Sequence, residues 1–557
     1  MEYEGDDPRY NLGNLPNGIS GNGGLFRDVQ TLLGYNCTKH VAEPCIIRGY
    51  ARTMHPTIHA QTNPDKPAII IAETGAVTTY AELESASNQA AHFFRKRGLG
   101  VGDVVAFMLE NEAAYYGLVW GAHRAGLHFV CMSTKLTDDE SQYILENSGA
   151  KLLVVSVNLA KAAAGLSGPA DRYALGGDLP GYARWEEATN IMPETPISDE
   201  RAGTSMLYSS GTTGRPKGVK LTMPEDPSIL APNALVMLSA GLFKINADTV
   251  YLSPAPLYHA APLGWSMAVQ RIGGTIVLMQ KFDPEAVLTA IERYKVSCGQ
   301  FVPTHFVRML KLPGEVRTRY DLTTLGCAIH AAAPCPVPVK EAMIGWWGPI
   351  LEEYYAGSEG NGMTYIGSAD WLAHRGSVGK SVHGIVHICD DDGNDVPPRR
   401  EGAVFFEGKT NFVYHGDPEK TASGRNAKGW STLGDIGWLD DEGYLTLTDR
   451  KSFMIITGGV NVYPQEIENH LIGHPKVQDI AVIGGPHDDM GEEVIAVIQP
   501  VDMVEANDAL RDDLIAYART KLSGLKIPRR IDFIEQLPRH DTGKLYKRLL
   551  RDQYWGK

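Results

Sequence analysis

Short apolar runs alternate with longer amphipathic stretches from about residue 50 onward. The runs at 67–72 (PAIIIA), 103–109 (DVVAFML) and 151–157 (KLLVVSV) are typical of buried β-strands. The stretch 80–98 follows two threonines and ends at a glycine, which predicts a helix. Further strands are predicted at 249–252, 274–279 and 297–302. This alternation predicts an α/β fold built largely on parallel sheets.

The pattern changes twice in the second half of the chain. Between 384 and 447, alternating strands with DG and EG turns predict antiparallel hairpins, which we interpret as a small β-barrel-like subdomain. After residue 450 the chain restarts as a small α+β unit, with helices expected at 464–472 and 507–522. The predicted organisation is an N-terminal extension (1–50), a large N-terminal domain (51–449), a hinge (450–452) and a C-terminal domain (453–557).

Composition and charge exclude several classes of protein. The 557 residues include 52 Lys and Arg against 66 Asp and Glu, a formal net charge of −14, which argues against a nucleic-acid binder. The seven cysteines are scattered without CxxC spacing, so neither a disulfide framework nor a zinc site is expected. The start of the chain is acidic and does not resemble a signal peptide, and no apolar run approaches the ~18 residues of a membrane span. We therefore expect a cytoplasmic protein.

The most specific segment is YSSGTTGRPKG at 208–218. Glycines allow backbone N–H groups to approach phosphate oxygens, hydroxyl side chains donate further hydrogen bonds, and Lys217 supplies charge. The segment is not a Walker A loop, because that motif requires glycine where this chain has Pro216 and Ser or Thr where it has Gly218. A solvated turn is the alternative, but eleven such residues in a row favour a phosphate-binding loop.

The sequence resembles the adenylate-forming superfamily, and in particular its acyl-CoA synthetase branch, from about residue 50 to the C-terminus. The resemblance depends on the phosphate loop and on four further motifs in order: YYAGSEG (354–360), GDIGW (434–438) leading to TDR (448–450), GGVNVYPQEIE (458–468) and PRHDTGK (538–544). It implies two half-reactions. MgATP and a carboxylate form an acyl-adenylate and pyrophosphate, and a thiol then displaces AMP. It also implies that the C-terminal domain is a mobile lid.

The resemblance assigns roles to individual residues. Nucleotide and CoA binding is assigned to Ser209, Ser210, Gly211, Thr212, Thr213, Gly214, Lys217, Ala332, Ala333, Tyr355, Ser358, Asp435, Arg450, Gly458 and Gly459. Within this set Asp435 and Arg450 bind the ribose, and Gly458 and Gly459 line a pantetheine tunnel. Magnesium is assigned to Thr213 and Glu359. Catalysis is assigned to Lys544, which bridges the substrate carboxylate and the α-phosphate, and to His259 and Glu359.

Each of these residues also has a simpler interpretation. A carboxylate at the position of Glu359 suits Mg²⁺ bound with phosphates, but it could be an ordinary exposed side chain. Asp435 could cap a turn, Lys544 could be a solvated charge, and His259 could be a packed or capping residue. Relatives that activate amino acids carry Asp at the position of His259, so its absence argues against amino-acid substrates. Ser452, at the expected hinge, replaces the Asp or Lys usual in relatives.

The substrate is less sharply predicted than the reaction. Small residues at 331–333, 356 and 357 indicate room for a bulky hydrophobic acid, and we favour a medium- or long-chain fatty acid. Aryl acids and steroid side-chain acids are alternatives. CoA is the expected thiol, with Lys526, Arg529 and Arg530 as a basic cluster for its phosphates, although a freestanding loader of a carrier protein is possible. A luciferase-type oxygenase and an acyl or nucleotide sensor without catalysis are the remaining alternatives.

Overall fold

The computed structural model describes residues 54–169, 171–209, 216–408, 412–450, 452–522, 524–539 and 545–556. The predicted extension, 1–50, lies outside these residues. Three sheets organise the described chain, and the two larger ones contain the strands predicted from the apolar runs. Within this part of the chain, no helix combines the length and the apolar character needed to cross a membrane.

The largest sheet has thirteen strands and carries the site described below. Its parallel half consists of β1 (Pro67–Ile71), β10 (Val250–Ser253), β11 (Thr275–Leu278), β12 (Cys298–Phe301), β13 (Cys327–His330) and β14 (Leu351–Ala356), with β2 (Val77–Thr79) antiparallel at the edge. Its antiparallel half consists of β15 (Met363–Gly367), β16 (Ser377–His383), β17 (Ile385–Cys389), β18 (Gly402–Glu407), β20 (Asp435–Leu439) and β21 (Leu445–Arg450). The strands predicted as a barrel-like subdomain therefore continue this sheet through β16.

The second sheet has eight strands, and the third belongs to the C-terminal part of the chain. The second contains β3 (Val104–Met108), β4 (His128–Cys131), β5 (Leu152–Ser156), β6 (Asp171–Leu175), β7 (Ala183–Arg184), β8 (Thr204–Ser209), β9 (Lys217–Leu221) and β19 (Phe412–Tyr414). The third contains β22 (Ile455–Thr457), β23 (Val460–Val462), β24 (Val477–His487), β25 (Gly491–Pro500) and β26 (Arg530–Phe533).

Helices cover the faces of the sheets, which is why the parallel strands are buried on both sides. In chain order they are α1 (Pro56–Thr62), α2 (Tyr80–Lys96), α3 (Ala114–Arg124), α4 (Asp138–Ser148), α5 (Ala160–Ala164), α6 (Trp185–Thr189), α7 (Ala234–Gly241), α8 (Ala260–Ile272), α9 (Pro284–Tyr294), α10 (Pro303–Leu310), α11 (Gly314–Arg317), α12 (Val337–Trp347), α13 (Ser368–Ala373), α14 (Pro418–Ser423), α15 (Pro464–Leu471), α16 (Asp508–Arg519) and α17 (Lys547–Tyr554). The start of α2 has a chemical cause, because Thr79 and Glu82 form a reciprocal capping box.

Polar contacts between described residues join the C-terminal part of the chain to the residues before it. Asp449 Oδ2 accepts a hydrogen bond from the backbone N–H of Gln465 at 2.9 Å. Lys311, just after α10, donates to the carbonyl oxygens of Val477 at 3.1 Å and Gln478 at 2.7 Å. The predicted fold class, a mixed α/β protein with a smaller α+β C-terminal part, is confirmed. The exact domain boundaries and the hinge at 450–452 stay predictions.

Candidate active site

A large cavity opens at the carboxyl ends of the parallel strands β10, β12, β13 and β14. Its volume is about 1810 Å³. In α/β sheets, ligands bind outside the carboxyl ends of the strands, where loops of different strands converge. The loops that converge here contribute His259, Val302, Ala331, Ala332, Ala333, Ala356, Gly357, Ser358 and Glu359. Five of the predicted site residues thus line one cavity in this region although their motifs lie far apart in the sequence: His259, Ala332, Ala333, Ser358 and Glu359.

Strand β14 separates this cavity into two sides. Successive side chains of a strand point to opposite faces, and the hydrogen bonds of β14 follow that rule. Tyr354 contacts α8, where its hydroxyl oxygen accepts a hydrogen bond from Trp265 Nε1 at 3.0 Å. Tyr355 contacts the antiparallel half, where its hydroxyl donates to Asp435 Oδ2 at 2.5 Å. Ala356 has the same parity as Tyr354 and lies nearer the carboxyl edge of the sheet.

Asp435 is the centre of a polar cluster on the Tyr355 side. It begins β20, directly opposite Arg450 at the end of β21, and Arg450 Nε donates to Asp435 Oδ1 at 3.1 Å. The Asp435 side chain is 8% exposed and that of Arg450 is 33% exposed. Burial, together with the neighbouring Asp435 carboxylate, raises the pKa of Tyr355 well above its ordinary value, so its hydroxyl stays a donor. The cluster holds a carboxylate in one orientation at the wall of the cavity.

Glu359 lies in the turn that follows β14. Its Oε1 accepts a hydrogen bond from the hydroxyl of Tyr414 at 2.9 Å. Tyr414 ends β19, which pairs with β9, the strand that begins at Lys217. Burial, followed by the charge of Glu359, raises the pKa of Tyr414. The hydrogen bond fixes one carboxylate oxygen, and the residue lines the cavity close to the end of the phosphate-loop segment.

Two lysines meet at the same end of the cavity. Burial, and after it a direct contact with Lys420 on α14, lower the pKa of Lys217 to about 8, while the charge of Glu359 opposes the shift. Like charges are held close together in a partly buried place only at a free-energy cost, and a bound polyanion would relieve that cost. Both side chains line the cavity. This end is therefore suited to phosphate groups.

Two further predicted residues have unusual local geometry. Ala332, in the loop after β13, has φ +77°, in the left-handed region that residues with a Cβ rarely adopt. Strained backbone of this kind is concentrated at binding sites, where the surrounding structure enforces it. His259 occupies the N-cap position of α8, and its ring contacts the Tyr258 ring at a centroid distance of 4.6 Å. Both residues line the cavity.

The remaining predicted residues fall into three groups. Ser209 is the last residue of β8, and its backbone pairs with Lys217. Gly458 and Gly459 form the turn between β22 and β23, with φ of +58° and +76°, and neither lines the cavity. Six residues lie outside the described part of the chain: Ser210, Gly211, Thr212, Thr213, Gly214 and Lys544.

Sequence reasoning missed several residues of this site. Lys420 and Tyr414 belong to no recognised motif, and only the pairing of β19 with β9 brings them to Lys217 and Glu359. The segment GDPEKT does predict a helix start, because Asp417 caps a helix with proline at its first position. That signal places Lys420 in the first turn of a helix but says nothing about its partner. Tyr354, Trp265 and Gln300 were likewise not singled out for chemistry.

These features are those of a nucleotide-binding enzyme with an adjoining apolar pocket, and comparison with known proteins agrees. The AMP-binding enzyme family matches residues 57–413, and the C-terminal domain of AMP-binding enzymes matches residues 466–544. The chain belongs to this family of adenylate-forming enzymes. The prediction that it is an enzyme of the AMP-forming acid–thiol ligase class is confirmed.

Relatives that cover almost the whole chain carry different substrate names. A feruloyl-CoA synthase from an Amycolatopsis species is 32% identical over 503 residues, which cover 90% of this chain and 98% of that protein. The long-chain-fatty-acid–CoA ligase FadD13 of Mycobacterium tuberculosis is 30% identical over 504 residues, covering 89% of this chain and 97% of that protein. The ATP-bound crystal structure of MatB from Rhodopseudomonas palustris superposes with a TM-score of 0.74 at 27% identity, covering 90% of this chain and 99% of that one.

Proposed function

We propose that this enzyme couples a hydrophobic carboxylic acid to CoA through an acyl-adenylate, with release of AMP and pyrophosphate. The observation that carries the proposal is the arrangement of one cavity. A cation-rich end at Lys217 and Lys420, a buried carboxylate at Asp435 and an apolar pocket beside α8 all open into it. A polyphosphate, a ribose and an acyl group require these three environments, and all three groups meet at the α-phosphate of ATP during the reaction.

The ribose would bind at Asp435. A buried carboxylate can accept hydrogen bonds from two vicinal hydroxyls, and hydrogen bonds to a charged group are about twice as strong as neutral ones. Tyr355 and Arg450 hold the carboxylate in place, so ribose binding needs little reorganisation. The adenine would then lie against Tyr355 and the strained loop at Ala332 and Ala333. This assignment follows from position and hydrogen-bonding capacity.

Magnesium fits the residues at the phosphate end. Mg²⁺ is usually held by one or two carboxylates together with substrate phosphates and water, rather than by a complete protein cage. Glu359 supplies one hard carboxylate with a free oxygen beside Lys217, and we propose it as the protein ligand, with Thr213 of the phosphate loop. When bound, the metal would neutralise charge on the polyphosphate. Ser358 and the loop residues Ser209 to Gly214 would bind the same phosphates.

The acid itself is the nucleophile in the first step, so the protein acts by positioning and charge neutralisation. His259 and Ala356 would border the carboxylate, which must attack the α-phosphorus in line with the leaving pyrophosphate. Lys544 would stabilise the charge that develops between them. Arg539 and Leu545, which flank the segment containing Lys544, both line the cavity, and this supports the assignment.

The second step would use a different position of the C-terminal domain. Gly458 and Gly459 are away from the cavity here, so a tunnel lined by them requires rotation about the proposed hinge at 450–452, with Ser452 exposed at its end. We propose that residues 453–557 move as this lid. Of the basic residues suggested for CoA, Lys526 pairs with Glu466 at 2.7 Å and Arg530 with Asp532 at 2.8 Å. These partners would have to be released or shared for CoA phosphates to bind.

Two classes of acid are candidates for the substrate, an aryl acid and a fatty acid. The matched relatives include a feruloyl-CoA synthase and a long-chain-fatty-acid–CoA ligase. The small residues near the pocket mouth favour a medium- or long-chain fatty acid. A steroid side-chain acid and a carrier-protein acceptor are variants of the same chemistry.

The test is pyrophosphate release with MgATP across a panel of carboxylic acids, each with and without CoA. Release that depends on the acid and accelerates with CoA is expected, because the thiol removes the bound adenylate. Acid-dependent release that CoA does not accelerate would replace CoA by a carrier protein or another acceptor. The absence of acid-dependent release across alkyl, aryl and steroid acids would refute the proposed function.

A further inference from the structure

Three side chains, Trp265, Gln300 and Tyr354, line the acyl side of the cavity and together form a hydrogen-bonded wall. The Tyr354 hydroxyl oxygen accepts hydrogen bonds from Trp265 Nε1 at 3.0 Å and from Gln300 Nε2 at 2.9 Å. The Trp265 ring is itself held by an edge contact with Phe243 at a centroid distance of 4.8 Å. All three wall residues line the cavity and are almost completely buried. The wall is therefore a fixed feature of the pocket.

The depth of this wall follows from two independent elements. On β14, Tyr354 lies two residues below Ala356 at the pocket mouth, which at strand spacing is about 7 Å. On α8, Trp265 lies six residues beyond His259, about 9 Å along the helix axis. Helix α8 runs from the carboxyl edge of the sheet back toward the start of β11, since β10 and β11 are parallel. Both measures place the wall less than ~10 Å from the carboxylate end.

That depth matches an aromatic ring joined to a carboxyl group directly or through a short linker. A long alkyl chain exceeds it and would have to displace Trp265 or Tyr354. Displacing either side chain would break these hydrogen bonds and leave at least one buried donor without an acceptor, which is unfavourable. The small residues at the mouth admit a wide group, but the wall behind them limits its length.

The wall contains polar groups as well as aromatic rings. Gln300 is 7% exposed, and its Oε1 atom is buried without a hydrogen-bond partner among the described residues. Exchanging the two ends of the amide would leave its NH₂ group in that place, so either orientation leaves one hydrogen-bonding group of Gln300 unused. Tyr354 uses its oxygen to accept both hydrogen bonds, and burial raises its pKa to about 12, so it retains a hydroxyl hydrogen. Buried groups of this kind are normally paired.

We propose that the physiological acid is a compact aromatic acid with a hydrogen-bonding substituent, such as a hydroxyl, at the end opposite its carboxyl group. The substituent satisfies Gln300 and Tyr354, and the ring fills the space between Ala356 and Trp265. This inference rests on the proposed function and narrows its substrate class. It departs from the fatty acid favoured by the sequence, because the sequence shows the pocket mouth and not its far wall.

The experiment compares matched acids in the CoA-dependent pyrophosphate assay. The probes are 4-hydroxycinnamate, 4-methylcinnamate, which replaces the hydroxyl by a methyl group of similar size, and palmitate. We expect kcat/KM for the hydroxylated acid to exceed that of the methylated acid by at least about tenfold, because the latter leaves Gln300 and Tyr354 unpaired. Palmitate should be the poorest of the three.

Two variants test the residues responsible. Gln300→Leu should lower kcat/KM for the hydroxylated acid and raise it for the methylated acid, so that the ratio falls about tenfold or more. Tyr354→Phe should reduce the same ratio. This second variant keeps the test informative if Gln300→Leu does not fold. The matched control is Gln61→Leu, the same change at an exposed position of α1, which should leave the ratio as in the wild type.

The outcomes separate this inference from the proposed function. If CoA stimulates pyrophosphate release but kcat/KM is equal for the two cinnamates, or highest for palmitate, the inference is refuted. The proposed ligase function would then remain intact. A hydroxyl preference that survives Gln300→Leu and Tyr354→Phe would also refute the assignment to this wall. Release with none of the acids, including the wider panel, would refute the function itself.

Discussion

The contact between Lys217 and Lys420 makes ATP binding depend on pH in a way that can be calculated. Burial and the neighbouring Lys420 lower the pKa of Lys217 from 10.5 to about 8 in the free enzyme. Bound phosphates favour the charged amine, so the pKa in the complex is higher than in the free enzyme. Binding therefore takes up a proton at alkaline pH, and affinity must fall as the pH rises above the pKa of the free enzyme.

The magnitude follows from the fraction of Lys217 that is protonated. At about pH 7 nearly all of it is charged, and at about pH 9 roughly one molecule in ten is, so the apparent Kd for ATP should rise about tenfold between these values. AMP lacks the β- and γ-phosphates, so its apparent Kd should change much less with pH. Isothermal titration of both nucleotides across this pH range, at constant ionic strength, measures the difference.

The variant Lys420→Met tests the cause. Removing the second amine raises the pKa of Lys217, so the weakening of ATP binding should begin at a higher pH, whatever happens to affinity at neutral pH. Lys428→Met is the matched control, because Lys428 is exposed and does not line the cavity. The reasoning would be refuted if Lys420→Met did not change the pH at which ATP binding weakens. Equal pH dependence of the Kd for ATP and AMP would also refute it.

Four other changes give direct expectations. Asp435→Asn should weaken ATP and AMP binding equally, by about 1.5–3 kcal/mol, because both ligands share the ribose; unchanged affinities in titration would remove Asp435 from the site. Lys544→Ala should slow adenylation by about 10²–10³ in single-turnover assays yet spare thioester formation from supplied acyl-AMP; equal loss of both steps would contradict its role. Ala356→Trp should shift kcat/KM toward shorter acids, and an unaltered acid profile would place it outside the pocket. Lys340→Met should destabilise the fold by about 3–5 kcal/mol in urea unfolding, because buried Glu353 loses its 2.6 Å ion pair; adding Glu353→Gln should restore most of that loss.

The sequence predicted those parts of the molecule that are encoded locally. The apolar runs at 67–72 and 151–157 correspond to β1 and β5, and the stretch 80–98 corresponds to α2, which ends two residues earlier than expected. Asp435 and Arg450 were predicted to bind one ribose; they pair directly across β20 and β21, and the ribose assignment stays a prediction. Elements and motifs that are encoded within a few consecutive residues could therefore be predicted from the sequence.

The parts that escaped prediction depend on contacts between distant segments. Tyr354 is 89 residues from Trp265 and 54 from Gln300, and each of the three is ordinary in its own segment. A tyrosine or tryptophan in a buried element is usually a core residue, and a glutamine in a strand gives no signal of an unpaired oxygen. Similarly, nothing local links Lys420 to Lys217. Only the pairing of strands decides which of these side chains share a surface.

The alternation of side chains along β14 has a consequence for how this enzyme can diversify. Positions of one parity, Tyr354 and Ala356, lie on the side of the proposed acid pocket, whereas Tyr355 between them lies on the side of Asp435, the proposed ribose site. Changes at the first set can therefore alter the accepted acid while the ATP site keeps its geometry. An insertion of one residue in β14 would be disruptive, because the shift would move each side chain of the strand to the opposite face. Substrate range can evolve here by replacement of side chains, within a backbone register that must stay fixed.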